Sequence, residues 1–309
     1  MIYYEPESFE DYYDKFLTTR ISAGFYIDPD CRADVNKTAF YNHLTYFLIN
    51  QEKKYENTYC FLPPKCSILT KQEEKNNIYI DNFKITVIQN KKALFRLTSD
   101  QFGFSATERS YSDNKYPLTR LLHLYQEKEL TEQEKVKKLI TKYVKNTRTI
   151  GGSFLWPLPP DGRRKCNYNT QRGVRGYLED RVDLTLLEIK HALDKSYDKK
   201  QHTSDILYDE YTNDKTHIQE WFNHFGSFER YVEYFMLDPF VKNGMPINIL
   251  NGEPIDEYDI KNYKDQYQIT KKGQLQNLTE KEIITMLGNL ESMILKRSEN
   301  IENAIKQYI

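Results

Sequence analysis

Apolar residues set the rhythm of this chain, and the rhythm changes as it is followed from end to end. In FYNHLTYFLI, residues 40 to 49, Phe40, Leu44, Phe47 and Leu48 recur at steps of four, three and one, which predicts a short amphipathic helix. Just before it, Asp28, Pro29 and Asp30 form a turn cluster. From residue 78 the period drops to two. Ile78, Ile80, Phe83, Ile85 and Val87, then Phe95 and Leu97, alternate with polar positions around Asp81-Asn82 and Asn90-Lys91, so an antiparallel meander of two or three strands is expected.

Beyond residue 116 helical spacing returns. Thr131 and Glu134 read as a capping box ahead of Val136, Leu139, Ile140, Tyr143 and Val144. GGSFLWPLPPDG, residues 151 to 162, ends that helix with two glycines and blocks another with three prolines, leaving Phe154 to Trp156 as a short buried strand. A further helix starts near Asp180 or Asp183 and buries Val182, Leu186, Ile189 and Leu193. Residues 195 to 216 are polar and read as a surface excursion, whereas 225 to 241 predict an aromatic core helix carrying Phe228, Tyr231, Val232, Phe235 and Met236. Thr279 and Glu282 open a long final helix whose seam is Ile283, Leu287, Leu290, Ile294, Ile301 and Ile305. The expected fold is α+β: a small antiparallel β meander packed against a larger, mainly helical portion. Residues 1–278 are expected to form one domain, with the helix of 279–309 packed on it or pairing with a second copy as a homodimer.

Composition narrows the classes. With 39% hydrophobic and 14% aromatic residues in 309, the chain has enough apolar surface to offset its conformational entropy. A net charge of −1 excludes a globally basic nucleic-acid coat, so any polyanion site has to be local. No stretch reaches the roughly 18 apolar residues of a membrane span, and the first residues lack an apolar run of signal-peptide length. Together with four cysteines that form no CxxC pair, this leads to the expectation of a cytoplasmic protein with reduced thiols and no membrane partner.

Six stretches carry a resemblance: GFYIDPD (24–30), LTSDQFGFS (97–105), RTIGGSFLWP (148–157), NTQRG (169–173), DRVDLTLLEIK (180–190) and FGSFERYVEYFML (225–237). In this order they resemble a family of bacterial proteins known only as a domain of unknown function. The resemblance implies a domain extent of roughly residues 20 to 260 and no particular activity.

One segment has the polar density that chemistry needs. Between Trp156 and Arg181, six basic residues (Arg163, Arg164, Lys165, Arg172, Arg175 and Arg181) face three acids, Asp161, Glu179 and Asp180. Guanidinium forks match phosphate oxygens, the glycines at 173 and 176 let backbone amides approach a ligand, and the helix that follows adds a positive dipole end. The candidate ligand-binding residues are therefore Arg148, Asn169, Arg172 and Arg181, with Trp156 as a stacking platform. Asp180 and Asp183 are the candidate general bases or metal ligands, and His191, two turns on, the candidate proton carrier. Glu188 on the same helix is taken as a neutral reference position. Each acid has an equally simple reading as a first-turn cap, and each arginine as its partner. No P-loop, dinucleotide fingerprint, HExxH or GxSxG motif is present, so no metal site and no cofactor is assigned.

These residues lead to the expectation of an enzyme that binds a nucleotide or RNA phosphate; that it is an intracellular bacterial toxin or phage-defence enzyme is what the resemblance to an uncharacterised family implies. The competing expectation is a non-catalytic binding or assembly module in which the Arg/Asp cluster only braces the fold. A third is an enzyme acting on a small carboxylated metabolite.

Overall fold

A computed structural model describes residues 35–63, 85–101, 133–147, 149–158, 182–194, 217–255 and 279–308. It begins with helix α1, Val35–Lys54, which extends beyond the ten residues that the spacing predicted and buries Phe40, Tyr41, Leu44, Phe47 and Leu48. The chain then enters a four-stranded antiparallel sheet of order β1-β2-β3-β4: β1 Cys60–Leu62, β2 Ile85–Gln89, β3 Lys92–Gln101 and β4 Ser153–Leu158. The expected Asn90-Lys91 turn joins β2 to β3, and both residues have positive φ (50° and 66°), the geometry of a tight two-residue hairpin loop. Ile85, Val87, Phe95 and Leu97 are fully buried on one face, as the alternation requires.

Two strands went unread in the sequence or were read too narrowly. β1 has only three residues, too few to show a period. β4 spans the whole of Ser153–Leu158 and pairs along β3 from Arg96↔Leu158 to Gln101↔Ser153. β3 consequently runs on through Ser99 and Asp100 to Gln101. Pro157 fits because β4 is an edge strand of this sheet, where a missing ladder N–H costs little.

The helical part comprises α2 Gln133–Thr147, α3 Val182–Asp194, α4 His217–Phe225, α5 Phe228–Tyr234 and α6 Glu280–Ile305. The single aromatic helix expected over 225–241 is corrected by the structure. Gly226, at φ 78°, ends α4, Ser227 caps α5 by accepting from the Arg230 amide, and Pro239 follows in a short 3-10 turn, Asp238–Phe240. The aromatic stripe is core nonetheless: Phe228, Tyr231, Val232 and Phe235 are all buried. A small hairpin, β5 Val241–Lys242 and β6 Met245–Pro246, turns at Asn243-Gly244, both at positive φ. This Asn-Gly pair is a strong hairpin signal that the expected helix to residue 241 obscured.

α6 has the capping box read from Thr279 and Glu282: the Thr279 side chain accepts from the Glu282 amide while the Glu282 carboxylate accepts from the Thr279 amide. Its seam, Ile283, Leu287, Leu290, Ile294, Ile301 and Ile305, is fully buried against α1, α2 and the 3-10 turn Ile150–Gly152. Gly151 permits that approach. A Cβ there would stand 2.3 Å from Ser298 Oγ, 2.4 Å from the Ile294 carbonyl oxygen and 2.5 Å from the Ser298 amide nitrogen. The glycine pair in RTIGGSFLWP, read from sequence as a helix breaker, therefore includes one residue that makes room for the last helix.

Candidate functional site

Of the nominated residues, Arg148, Asn169, Arg172, Asp180 and Arg181 lie outside the described residues. Asp183, His191 and Trp156 lie within them. Trp156 is a core ring of β4, 2% exposed, with Phe154 at 5.4 Å. Stacking on a base would require it to leave that position.

Helix α3 positions the other two. Its apolar residues Val182, Leu186, Ile189 and Leu193 share one side, as their spacing implies, and all are buried. At about 100° per residue, His191 stands about 80° and Glu188 about 140° round the axis from Asp183, so the ionisable groups share the other side. That side is also buried: Asp183 is 1%, His191 3% and Glu188 5% exposed. Each has interactions with its surroundings, and for Asp183 two are to backbone amides: Oδ1 accepts from Leu184 N at 3.0 Å and Oδ2 from Ile249 N at 3.1 Å. Asp183 thereby fastens the start of α3 to the loop after β6. Asn289 of α6 grips the same loop by donating to the Ile249 carbonyl at 2.9 Å. Glu188 is no neutral reference position, because it is as buried as the other two. Its place on the side of Asp183 and His191 was the available signal.

A second polar cluster had no signature in the sequence. Glu52, at the end of α1, is 5% exposed. Its Oε1 accepts from Tyr234 OH at 2.6 Å and faces His224 Nε2 at 2.8 Å, while Oε2 accepts from the Tyr59 amide at 3.0 Å. The His224 ring lies flat on Tyr59, 3.9 Å between centroids and 6° between planes. Asn57 bridges outward: its Nδ2 lies 3.2 Å from His224 Nε2, and its Oδ1 accepts from Arg230 Nη2 at 2.9 Å. Burial first, then the Glu52 charge and its hydrogen bond, raise the Tyr234 phenol well above its ordinary range, so it stays a neutral donor. One carboxylate thus ties α1, α4, α5 and the segment before β1 together across more than 180 residues of sequence. Spacing cannot reveal such a cluster, since each partner comes from a different element.

The third buried centre is Arg297 of α6, 3% exposed. Its Nε donates to the Phe235 carbonyl at 2.9 Å, and Nη1 to the carbonyls of Gly151 and Ser153, both at 2.8 Å. Burial pushes this guanidinium down to about 9, and the neighbouring Tyr231 opposes the shift. Beside it Ser298 Oγ lies 2.6 Å from Thr149 Oγ1 and accepts from the Gly151 amide at 3.1 Å, and Glu291 accepts from Asn146 Nδ2 at 2.9 Å. These bonds clamp the last helix to the ends of α2 and α5 and to the turn before β4.

Among the described residues no group of three or more His, Cys, Asp or Glu side chains is placed to hold a metal ion, and no helix is long and apolar enough to cross a membrane. No curated protein and no solved structure matches the chain. Five of the six sequence stretches quoted above, all but GFYIDPD, fall within residues 80–283, which match the model of a family of unknown function, DUF6994; the chain belongs to that family.

Proposed function

We propose that the chain is an enzyme that binds a phosphate-bearing ligand, a nucleotide or RNA, against the side of α3 that carries Asp183, Glu188 and His191. The observation that carries the reading is the burial of Asp183, Glu188 and His191 on one side of a core helix within the family-matched residues. Apolar side chains of similar volume often stabilise such positions more than ionisable groups do, so three ionisable groups there argue for chemistry. The basic run of 163–181 directly precedes α3 in sequence and supplies the phosphate-matching groups. In this reading Arg148, Asn169, Arg172 and Arg181 hold the phosphate, Asp180 or Asp183 acts as general base or metal ligand, and His191 carries the proton. The toxin or phage-defence setting is not part of the proposal, since no feature of the described residues bears on it.

The second reading is a non-catalytic binding or assembly module. It is favoured by the Asp183 hydrogen bonds to Leu184 N and Ile249 N, which give that carboxylate an architectural task. A thermal-shift panel of nucleotides, dinucleotides and short RNAs separates the two. A ligand at 100 times its Kd adds about 2.7 kcal/mol to the native state, enough to raise the unfolding midpoint visibly. We expect at least one member to do so for the wild type and to lose the effect in Arg172→Ala, with the variant's own midpoint little changed. A panel with no active member, or an Arg172→Ala protein with normal ligand response, would overturn the enzyme reading and leave the module.

A further inference from the structure

The turn that ends α1 carries an amino acid that its backbone disfavours. Glu56 N donates to the Lys53 carbonyl and Asn57 N to that of Glu52, the 5→2 and 6→1 bonds of a Schellman motif, and Glu56 occupies its left-handed position at φ 54°. Glycine is the usual residue there because it has no Cβ to strain. Met236 ends α5 in the same way, at φ 51°, but its side chain packs on the core. Glu56 is exposed and, among the described residues, makes no ion pair or side-chain hydrogen bond, so none of them accounts for a glutamate at this point.

Its position does suggest an account. Glu56 lines an open depression of about 530 Å3 together with Lys54, Tyr55, Ser227, Glu229, Arg230 and Glu233. That volume lies in the range of small-ligand sites. Glu229 and Glu233 are likewise exposed and without partners among the described residues. On the other side, Arg230 spends Nη2 on Asn57 Oδ1 and on the Tyr55 carbonyl, its buried Nε has no acceptor, and no carboxylate pairs with it. Lys54 lies over the Tyr55 ring at 4.9 Å and makes no ion pair either. Charges of both signs thus line one depression without neutralising each other. Tyr55, which lines it, stacks on Tyr234, and Asn57 connects Arg230 to the partly buried His224 and to Glu52.

We propose that this depression binds a short peptide segment bearing both signs of charge. A basic group of the ligand lies among Glu56, Glu229 and Glu233, and a carboxylate pairs with Arg230 and Lys54. A polyanion is disfavoured by the three glutamates, which sets this site apart from a phosphate site at α3. Independence from the α3 reading is complete, since the two sites share no residue.

The test is an NMR titration of the uniformly 15N-labelled full chain with the dipeptide lysyl-aspartate. Two control probes each lack one sign: the doubly N-acetylated dipeptide, without ammonium groups, and lysyl-asparaginamide, without carboxylates. Only the doubly charged probe is expected to move the amide signals of residues 54 to 57 and 227 to 233, in a salt-sensitive manner. The decisive variant is Glu56→Gly. It relieves the left-handed strain, so its unfolding midpoint should rise by about 1–3 °C, while its affinity for the dipeptide should fall at least about tenfold. Arg230→Gln should weaken binding to a similar degree, and the exposed Glu233→Gln supplies the same information should the arginine variant fold poorly. The proposal fails if the dipeptide causes no shifts at about 10 mM, if either capped probe binds equally well, if Glu56→Gly retains full affinity, or if its midpoint drops.

Discussion

Arg297 of α6 and Asp183 of α3 are buried almost equally, at 3% and 1% exposure, yet they sit in different surroundings. Arg297 reaches three backbone carbonyls, those of Phe235, Gly151 and Ser153, and beside it the Gly151 amide donates to Ser298 Oγ at 3.1 Å. Every polar group named there fastens α6 to its neighbours: the end of α5, the turn Ile150–Gly152 and the start of β4. Asp183 also binds backbone amides, but it shares its side of α3 with two more buried ionisable groups, Glu188 and His191. A buried ion with carbonyl or amide partners on neighbouring elements braces the fold. Several ionisable groups gathered on one side of a core helix are the ground for the chemistry proposed at α3.

Removing α6 altogether gives the largest expected effect. Truncation after Leu278 deletes Ile283, Leu287, Leu290, Ile294, Ile301 and Ile305, each worth roughly 1.5–3 kcal/mol when buried, a sum comparable with the whole stability of a domain. Circular dichroism should show an unfolded or aggregated product. A cooperatively melting truncated protein would show that α6 is an appendage and would end the comparison.

Arg297→Met comes next. Methionine fills much of the volume but leaves the Phe235, Gly151 and Ser153 carbonyls without this donor, and each buried polar group left unsatisfied costs about 1–3 kcal/mol. Relief from burying a charge offsets part of this, so chemical denaturation should give a net loss of about 3 kcal/mol, with any ligand response at α3 intact. A neutral substitution would mean that Arg297 is not a brace.

Gly151→Ala should cost somewhat less, about 1–3 kcal/mol, through overpacking. Its sharpening partner is Ser298→Gly in the same background. That change removes the contact at Ser298 Oγ but leaves the Ile294 carbonyl oxygen and the Ser298 amide nitrogen within 2.5 Å of the new methyl group, so rescue should be incomplete. Full rescue would place the conflict in the hydroxyl alone.

The two helices were legible to different depths. The α6 seam and capping box follow from local spacing, and so does the apolar side of α3. The Asn90-Lys91 hairpin was legible for the same reason, since a two-residue turn needs only its neighbours. The break at Gly226-Ser227 was also written in the sequence but was outweighed by the continuous aromatic run around it. Glu188 shows the limit of this reasoning. Its position on α3 was exact, yet its burial depends on elements that pack over it from elsewhere in the chain.

By itself the sequence determined the α+β class, the helices whose apolar residues repeat over several turns, the β2-β3 hairpin and the family, because each rests on residues close in sequence or on motifs in order. Tertiary structure alone decided that β4 would join the sheet across 51 residues from β3, that Gly151 would serve an approach and not a break, and that Glu52 would meet His224 and Tyr234. The physical reason is common to all three. Hydrophobic periodicity records which side of an element turns inward, but a contact between elements depends on which other element arrives at that side, and spacing along one segment carries no information about its partner.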